Sequence, residues 1–356
     1  MVDSSPLAKE RATRSVTLED VARVAGVSRA TVSRVVNQQR RVAPAVRKSV
    51  MAAVEEIGYV PNRAARSLVT RKAGAVVVVV SGLAPEDDDG SHVARMFSDP
   101  FFGRVAGGVV RALRPLDVHP VLMLADTVRA RSQVLAFLEH GSADGALLVS
   151  THVDDPLPGQ LVELGRPAVV FARPSGDLPI SFVDAGNADG GRLAAKHLIS
   201  RGRRNLGVVS VHGPLNMPAL GDRVHGFRDG AAREGVAYVA ASPGDLSVEG
   251  GDAAVQQLLA DSPDLDGVFA CNDLMAVGAI QALRRAGRRV PQDVSVVGFD
   301  DSSIAALSDP PLTTVRQPIE EMAGEMAHLL MQLVDEPERR VMSAVLDPTL
   351  VERDSA

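Results

Sequence analysis

The side chains of this sequence that could carry out a reaction are few and poorly placed for one another. Cys271 could be a nucleophile, but no base is identifiable beside it, so a small buried residue is the favoured interpretation. Asp300 and Asp301 are adjacent, which sends their carboxylates in different directions. The eight histidines lack metal-ligand spacing, and one cysteine cannot build a zinc site. Phosphate-binding glycine loops and Gly-x-Ser-x-Gly are also absent, so the sequence predicts no enzyme, metal or cofactor.

Positive charge is concentrated at the beginning of the chain. Residues 1–72 carry fourteen Lys and Arg against six Asp and Glu, a net charge of +8, whereas the whole chain has −6. The other 284 residues therefore carry −14. This asymmetry predicts a small basic module on an acidic body, and such a module is typical of a DNA-binding head. The length of 356 residues and the 46% hydrophobic content indicate two or three globular domains.

Two features indicate the compartment. A single cysteine rules out an internal disulfide framework and suits a reducing cytosol. The longest wholly apolar run, 75–80, is far shorter than the ~20 residues of a membrane span, and the polar N-terminus does not resemble a signal peptide. We therefore expect a soluble cytoplasmic protein without a membrane partner, associated with the nucleoid when bound to DNA.

Capping signals divide the basic segment into three short helices. Thr17, with an acidic residue three positions later, predicts a capped first helix. A Gly-containing turn follows, and Ser28 predicts the cap of a second helix. A third helix begins at Pro44 and ends at Gly58. Three short helices in this arrangement predict an all-α helix-turn-helix domain.

The same segment resembles the headpiece of the lactose-repressor (LacI/GalR) family. The match extends over about sixty residues without a gap. It rests on the motifs TLEDVA (17–22), AGVS (25–28), TVSRVVN (31–37) and GYVPNRAARSL (58–68). The resemblance implies a DNA-binding headpiece over 15–60 and a hinge helix with its linker over 61–72. A helix of about eight residues is too short to persist alone, so the hinge would fold only on operator DNA.

The resemblance also implies which residues contact DNA. Arg29, Ala30 and Arg34 correspond to positions that read bases in the major groove, where arginine suits guanine and alanine offers a methyl contact to thymine. Leu68 of each subunit would wedge into the minor groove beside Ala65 and kink the duplex, unless it is an ordinary apolar linker residue. The other implied DNA contacts are Thr17, Leu18, Ser28, Thr31, Ser33, Asn37, Tyr59, Asn62 and Arg63.

From about residue 73 the sequence alternates between strand-like and helix-like segments. This order predicts parallel sheets covered on both faces by helices. The strands are too numerous for one sheet, so we expect two doubly wound lobes with a ligand cleft at the carboxyl ends of their strands. Apolar strand-like runs occupy 75–80, 118–124, 146–150, 168–171, 206–211, 267–271 and 294–299.

This body resembles, more loosely, the effector domain of the same family, which is similar to periplasmic sugar-binding proteins. The motifs that carry the resemblance include DPFF (99–102), GGRLA (190–194), PQDVSVVGFDD (291–301) and PLTTV (311–315). They imply an α/β two-lobed fold with three crossovers, near 184, 316 and 340. The expected N-terminal lobe comprises 73–184 and 317–340, and the expected C-terminal lobe comprises 185–316 and 341–356.

Some residues of the body match effector-contacting positions of the family. Asn272 and Asp300 follow strands, so they would point into the cleft and accept hydrogen bonds from hydroxyls, while Arg223 would offer a planar fork of donors. Asn272 and Asp300 could instead cap the next turn or helix, Arg223 could form a surface ion pair, and Phe102 could belong to the lobe core. The implied effector contacts are Phe102, Arg173, Asp184, Arg223, Asn272 and Asp300. For Arg173, Asp184 and the further candidate Asp126, a structural role is at least as good an interpretation.

The sequence thus predicts a transcriptional regulator, with a repressor as the favoured interpretation. A homodimer on a near-palindromic operator is expected because one headpiece reads only a few base pairs. A sugar or sugar derivative is the first interpretation of the small-molecule effector, a nucleoside the second, and no effector the third. Two alternatives stay open: a sequestering protein with a vestigial head, and a sugar or nucleoside enzyme on the same scaffold.

Overall fold

The computed structural model describes residues 16–36, 42–59, 72–82, 99–150, 152–213 and 217–356. The chain divides into two compact units, the first ending at Ala73 and the second extending from Gly74 to Ala356. Within the described residues, none of the helices combines the length and the apolar character that a membrane-spanning helix requires. The following predicted DNA contacts lie outside the described residues: Asn37, Asn62, Arg63, Ala65 and Leu68.

The first unit contains the three helices that the capping signals predict. The Thr17 hydroxyl accepts from the Asp20 N–H, and the Asp20 carboxylate accepts from the Thr17 N–H, which confirms the predicted cap. Gly26 and Gly58 end the first and third helices with φ of 67° and 64°, a conformation that glycine adopts without strain. The helices are α1 (Leu18–Ala25), α2 (Arg29–Val36) and α3 (Pro44–Ile57).

A small apolar core holds these three helices together. Each helix contributes side chains from one face, so the amphipathic pattern of the sequence is sufficient to build the domain. The buried residues are Val21, Ala22, Val32, Val35, Val50, Ala53 and Tyr59.

The second unit begins with a lobe built on a six-stranded parallel sheet. The strand order is β11-β5-β4-β3-β1-β2, and residues 76–80 of the interior strand β1 are buried. Helices α4 and α12 cover one face, and α5 and α6 cover the other. The elements are β1 (Ala75–Ser81), α4 (Pro100–Leu113), β2 (His119–Ala125), α5 (Val128–Glu139), β3 (Ala146–Ser150), α6 (Leu157–Leu164), β4 (Ala168–Phe171), β5 (Ser181–Ala185), α12 (Ile319–Asp335) and β11 (Ser343–Leu346).

The second lobe repeats this architecture. Its sheet has the order β12-β10-β9-β8-β6-β7, in which only β12 is antiparallel to its neighbour among the described strands. The elements are α7 (Asn187–Ser200), β6 (Leu206–Val211), α8 (Pro218–Arg233), β7 (Val239–Gly244), α9 (Val248–Asp261), β8 (Gly267–Ala270), α10 (Asp273–Arg285), β9 (Ser295–Phe299), α11 (Ser303–Leu307), β10 (Thr313–Arg316) and β12 (Thr349–Val351).

The third crossover between the lobes differs from the sequence prediction. We expected the chain to leave the first lobe near 340, with 341–356 in the second lobe. Instead, Ser343–Leu346 pairs with β5 and completes the first sheet, so the crossover lies at residues 347–348. The predicted boundary was wrong because β11 is a short edge strand in which exposed and half-buried residues alternate, which gives little hydrophobic signal.

Glycines allow α7 and α8 to pack with their backbones in contact. A Cβ added at Gly226 would overlap the Ala188 carbonyl, and one at Gly191 would overlap the Arg223 carbonyl. A Cβ at Gly190 would lie 2.6 Å from the Phe299 ring. This close approach fixes the position of α8 and therefore of every side chain that α8 directs into the cleft.

Replacing Gly226 tests this packing. Gly226→Ala should lower the free energy of unfolding by ~1–3 kcal/mol, because α8 must move away from backbone atoms of Ala188. Urea denaturation followed by circular dichroism measures the change. The control is Gly159→Ala, since an added Cβ there meets no atom within 4 Å. It should be neutral or stabilise by up to about 1 kcal/mol. Equal stability of Gly226→Ala and the parent protein would contradict the close packing.

Candidate functional site

A cavity of about 150 Å³ lies between the two lobes of the second unit. Its lining includes the carboxyl ends of β3 and β4 and residues that follow β8, β9 and β10, which is where ligands bind in open α/β sheets. The beginnings of helices α4 and α8 supply other lining residues. Five of the six residues that the family resemblance implied line this cavity. They are Phe102 and Asp184 from the first lobe, and Arg223, Asn272 and Asp300 from the second.

The guanidinium of Arg223 is buried at the floor of the cavity, and the residue is only 5% exposed. Its Nε donates to Asn187 Oδ1 at 2.9 Å, and Nη1 donates to the Cys271 carbonyl at 2.6 Å. The guanidinium carbon lies 3.7 Å from the centroid of the Phe299 ring. Nη1 is also 3.5 Å from Asp300 Oδ1. The alternative of a surface ion pair therefore does not apply to Arg223.

Asp300 faces Arg223 across the same cavity. Its Oδ1 accepts from Gln317 Nε2 at 2.7 Å, and among the described residues none donates a hydrogen bond to Oδ2. The backbone of Asp300 has φ of 108°, which is strained for a residue with a side chain. The helix that follows has Ser302 at its N-cap position, so Asp300 does not act as the cap that was the alternative interpretation.

A second buried carboxylate, Asp273, lies behind Asp300. It accepts from the Ser302 N–H at 2.7 Å, from the Ser302 hydroxyl at 3.0 Å and from the Thr314 hydroxyl at 2.5 Å. Burial raises the pKa of Asp273 above its ordinary value, and the nearby Asp300 charge raises it further. Burial also raises the pKa of Asp300, whereas the positive charge of Arg223 opposes that rise. The two carboxyls therefore hold protons more tightly than exposed aspartates.

Asp184 and Arg173 have different roles from each other. Asp184 is 6% exposed and accepts from the Arg173 N–H, the Ala185 N–H and Asn187 Nδ2. The Arg173 guanidinium instead pairs with Asp222 at 2.8 Å, and Arg173 is not among the residues that line the cavity. The structure therefore brings Asp184 into the site and leaves the Arg173 side chain outside it.

Asn272 combines the two interpretations that the sequence left open. Its Oδ1 accepts from the Met275 N–H at 2.9 Å and so caps α10, while Nδ2 donates to the Leu246 carbonyl at 3.0 Å. Both polar ends of Asn272 are thus engaged with the protein while the residue lines the cavity.

The apolar wall of the cavity is a small aromatic group. Phe101 packs edge-to-face against both Phe102 and Phe171, with ring centroids 5.1 Å apart in each pair. Phe102 also packs against the core of the first lobe, so the core interpretation holds alongside its place at the cavity. Aromatic edges and faces of this kind can contact the ring of a ligand.

Sequence reasoning missed several lining residues, among them Asp99, Phe101, Phe171 and Gln317. Phe171 ends the predicted strand β4, so the strand-end rule that selected Asn272 would have selected it too. Gln317 directly follows β10, a strand that the sequence analysis did not predict. Asp99 caps α4 by accepting from the Phe101 N–H at 2.9 Å, and its pKa is raised by burial.

The predicted DNA contacts of the headpiece differ in how exposed they are. Arg29, Ala30 and Arg34 are exposed on α2, where the side chain of Arg29 pairs with Glu19 at 2.9 Å. The Ser28 hydroxyl accepts from the Thr31 N–H at 3.2 Å and so caps α2. The other predicted DNA contacts are less exposed. Thr17 belongs to the cap of α1, Leu18 and Ser33 are partly buried, and Tyr59 lies in the core and is 8% exposed.

Comparison with known families assigns both units. Residues 17–62 match the family described as bacterial regulatory proteins, lacI family, and residues 195–356 match the periplasmic binding protein-like domain. The HTH-type transcriptional regulator CelR of Thermobifida fusca is 41% identical over 346 residues, which cover 96% of this chain and 98% of the relative. The chain belongs to the LacI family.

Other LacI-family proteins agree with this assignment. The ribose operon repressor of Escherichia coli strain K12 is 32% identical over 96% of this chain and 99% of its own length. The solved CelR–cellobiose complex has a TM-score of 0.72, with 38% identity over 96% of this chain and all of that chain. The Lac repressor dimer bound to operator and the anti-inducer ONPF has a TM-score of 0.77 with 28% identity, covering 96% of this chain and 99% of that one.

These findings confirm several sequence predictions. The fold is a helix-turn-helix headpiece with a two-lobed periplasmic-binding-like domain, and the protein is a DNA-binding transcriptional regulator of the LacI family rather than an enzyme. Burial raises the pKa of the Cys271 thiol to about 12, which agrees with its interpretation as an inert apolar residue.

Removing the buried guanidinium tests its electrostatic role in this LacI-family cleft. Arg223→Met should lower the free energy of unfolding by ~3–5 kcal/mol near pH 8, because Asp99, Asp184 and Asp300 lose their shared positive charge. Carboxyls with a raised native pKa bind more protons folded than unfolded, so stability falls as pH rises. The loss should therefore be smaller near pH 5.5, as urea denaturation at both pH values can measure.

Arg233→Met is the matched control for this experiment. Arg233 lies on the same helix, but its side chain is 70% exposed and pairs with Asp229 at the surface. Its removal should change the free energy of unfolding by no more than about 0.5 kcal/mol at either pH. A loss in Arg223→Met that does not vary with pH would contradict the proposed electrostatic role.

Proposed function

We propose that this protein is a repressor that binds a near-palindromic operator as a homodimer, with an affinity set by a sugar-like effector in the cleft. Three relatives support the proposal. The structure of the Lac repressor is a dimer on operator DNA, the structure of CelR contains cellobiose, and another relative is a repressor of a ribose operon. We infer that it acts on nucleoid DNA in the cytoplasm.

The observation that carries the effector proposal is the pairing of Arg223 with Asp300. Among described residues, neither the Nη2 group of Arg223 nor the Oδ2 atom of Asp300 has a hydrogen-bond partner. One therefore offers donors and the other an acceptor, and both atoms belong to residues that line the cavity. A hydroxyl group can accept from a guanidinium and donate to a carboxylate, so a ligand with several hydroxyls matches this pair.

The apolar wall extends the same argument. Phe102 and Phe171 line the cavity opposite the polar groups of the second lobe. A sugar ring has polar edges and apolar C–H faces, so hydrogen bonds to Arg223 and Asp300 together with aromatic contact suit it. Cellobiose is the first ligand to test, because the solved structure of a CelR that is 38% identical to this chain contains it. Ribose is the second, in view of the ribose operon repressors.

The headpiece supports the operator proposal. Arg29 and Arg34 are exposed on α2, the second helix of the helix-turn-helix, which is the one that enters the major groove. We infer that residues 61–72, including Ala65 and Leu68, form a hinge helix and linker that fold on the operator. The ligand would control repression by preferring one closure of the lobes and so favouring or opposing hinge formation.

Recovery of genomic DNA fragments by the purified full-length protein, at one fixed salt concentration, tests this function. We expect a short near-palindrome with a central pyrimidine–purine step, which a minor-groove wedge can kink. Cellobiose, and then ribose, should change the affinity for that sequence. If the protein instead binds all DNA sequences equally, loses that binding when salt is added and yields no motif, the sequestering protein with a vestigial head would be favoured.

The base-reading role of Arg34 yields a prediction. Arg34→Ala should reduce discrimination at one base pair of each half-site by ~1–3 kcal/mol, because a bidentate contact to guanine is lost. Competition binding with single-base variants of the recovered operator measures this loss. Lys48→Ala removes one exposed positive charge from α3 and serves as the control, with equal effects on all operator variants. Unchanged base discrimination in Arg34→Ala would contradict the assignment.

The effector role of Asp300 yields a second prediction. Asp300→Asn should abolish the response of operator affinity to cellobiose, because the amide no longer provides the charged acceptor. Operator affinity without ligand should stay within about threefold of the parent protein. Asp309→Asn, at a carboxylate that is 84% exposed in the same lobe, is the control and should respond normally. A normal response in Asp300→Asn, or its global unfolding, would show that the assignment of Asp300 is wrong.

A further inference from the structure

A second arginine, Arg104, joins the two lobes at the backbone of Asp300. It lies on α4 of the first lobe and is absent from the cavity lining. Its Nε and Nη2 donate to the two carboxylate oxygens of Glu320, in the first turn of α12, at 2.7 and 2.8 Å. Its Nη1 donates to the Asp300 carbonyl of the second lobe at 2.7 Å and reaches the Asp301 carbonyl at 3.4 Å.

The carbonyls that Arg104 contacts belong to a strained segment. Asp300 and Asp301 have φ of 108° and 51°, so both residues deviate from ordinary extended or helical backbone. From the second lobe, the Asp301 carboxylate is held by Arg316 at 2.7 Å and by Arg353 at 2.6 Å. A strained backbone persists only when the surrounding structure holds it in place. Arg104 contributes to this from the first lobe through its hydrogen bonds to the Asp300 and Asp301 carbonyls.

An ion pair that joins the lobes directly, Arg173–Asp222, is more exposed than Arg104. Arg173 and Asp222 meet at 2.8 Å, with side chains that are 51% and 37% exposed, so water competes with the pair. The Arg104 side chain is only 18% exposed. Its guanidinium makes a bidentate carboxylate contact and a carbonyl contact at once, which the fork geometry of arginine permits and the point charge of lysine does not.

We propose that Arg104 is a positioning residue that holds the lobes in this closure by fixing the Asp300–Asp301 backbone, and thereby transmits the state of the cleft to α4 and α12. The coupling part of this proposal rests on the proposed effector function. A ligand that engages the Asp300 carboxylate changes the backbone of the same residue, whose carbonyl Arg104 binds. The attachment of α4 and α12 to the second lobe then depends on what occupies the cavity.

Hydrogen–deuterium exchange of the full-length protein tests the attachment without any ligand. Arg104→Met should exchange about tenfold faster than the parent protein in the peptide that covers 299–305, because that segment opens locally. The headpiece and the remainder of the second lobe should be unchanged. Arg173→Met removes the exposed inter-lobe pair and is the matched control, with exchange in 299–305 within about twofold of the parent protein.

The ratio of operator affinities with and without cellobiose tests the coupling. In Arg104→Met this ratio should fall toward one, while the affinity for cellobiose itself changes by less than about threefold. Arg104→Lys should recover only part of the ratio, since lysine keeps the charge but not the fork. If Arg104 had a merely structural role, Arg104→Met would instead lower the operator affinities with and without cellobiose by the same factor and leave their ratio unchanged.

The outcomes separate the two proposals. Parent-like exchange in 299–305 of Arg104→Met, or a parent-like affinity ratio, would overturn the role of Arg104. If Arg104→Met unfolds throughout, Glu320→Gln releases the same guanidinium from its carboxylate and should speed exchange in 299–305, and its failure to do so would overturn the proposal. If the parent protein responds to neither cellobiose nor ribose, the effector function and the coupling both fail, while exchange still decides whether Arg104 holds the Asp300 segment.

Discussion

The polar side of the cleft depends on one buried positive charge. Asp99 and Asp184 approach Arg223 from the first lobe and Asp300 approaches it from the second, and its charge lowers the pKa of all three against the effect of burial. A guanidinium can be buried here because a carbonyl, an amide oxygen and an aromatic face replace its water shell. Without it, the cavity would contain carboxyls in an environment that favours their neutral form.

The position of that charge is in turn a consequence of glycine. Arg223 can lie above Phe299 and beside Asn187 only because α7 and α8 approach until their backbones touch at Gly191 and Gly226. Larger residues at those positions would separate the helices and withdraw the guanidinium from the cavity. The resemblance to the family included Gly191 as part of the GGRLA motif, and the structure gives the physical reason for both glycines: they determine where a charge is buried.

Local signals in the sequence predicted the headpiece well and the body less completely. The cap at Thr17 and the helix ends at Gly26 and Gly58 depend on residues within one turn, so they were predictable. The continuous apolar runs also identified the buried central strands. Strands β5, β7, β10 and β12 were not predicted, and β11 led to the wrong crossover, because short strands that contain polar residues or alternate at an edge lack such a run. The contact of Arg104 with Asp300 joins residues 196 positions apart, so no local pattern encodes it.

Asp300 is where these constraints meet, because each lobe holds a different part of it. Its side chain accepts a hydrogen bond from Gln317 and faces Arg223, while its carbonyl accepts a hydrogen bond from Arg104. A coupling free energy between two sites is typically ~1–3 kcal/mol. A hydrogen bond to a charged group contributes about 1.5–3 kcal/mol, so the gain or loss of this single contact is large enough to account for a regulatory response. The proposed coupling therefore requires no long chain of rearranged residues between the cavity and helices α4 and α12, because Asp300 contacts both the cavity and Arg104.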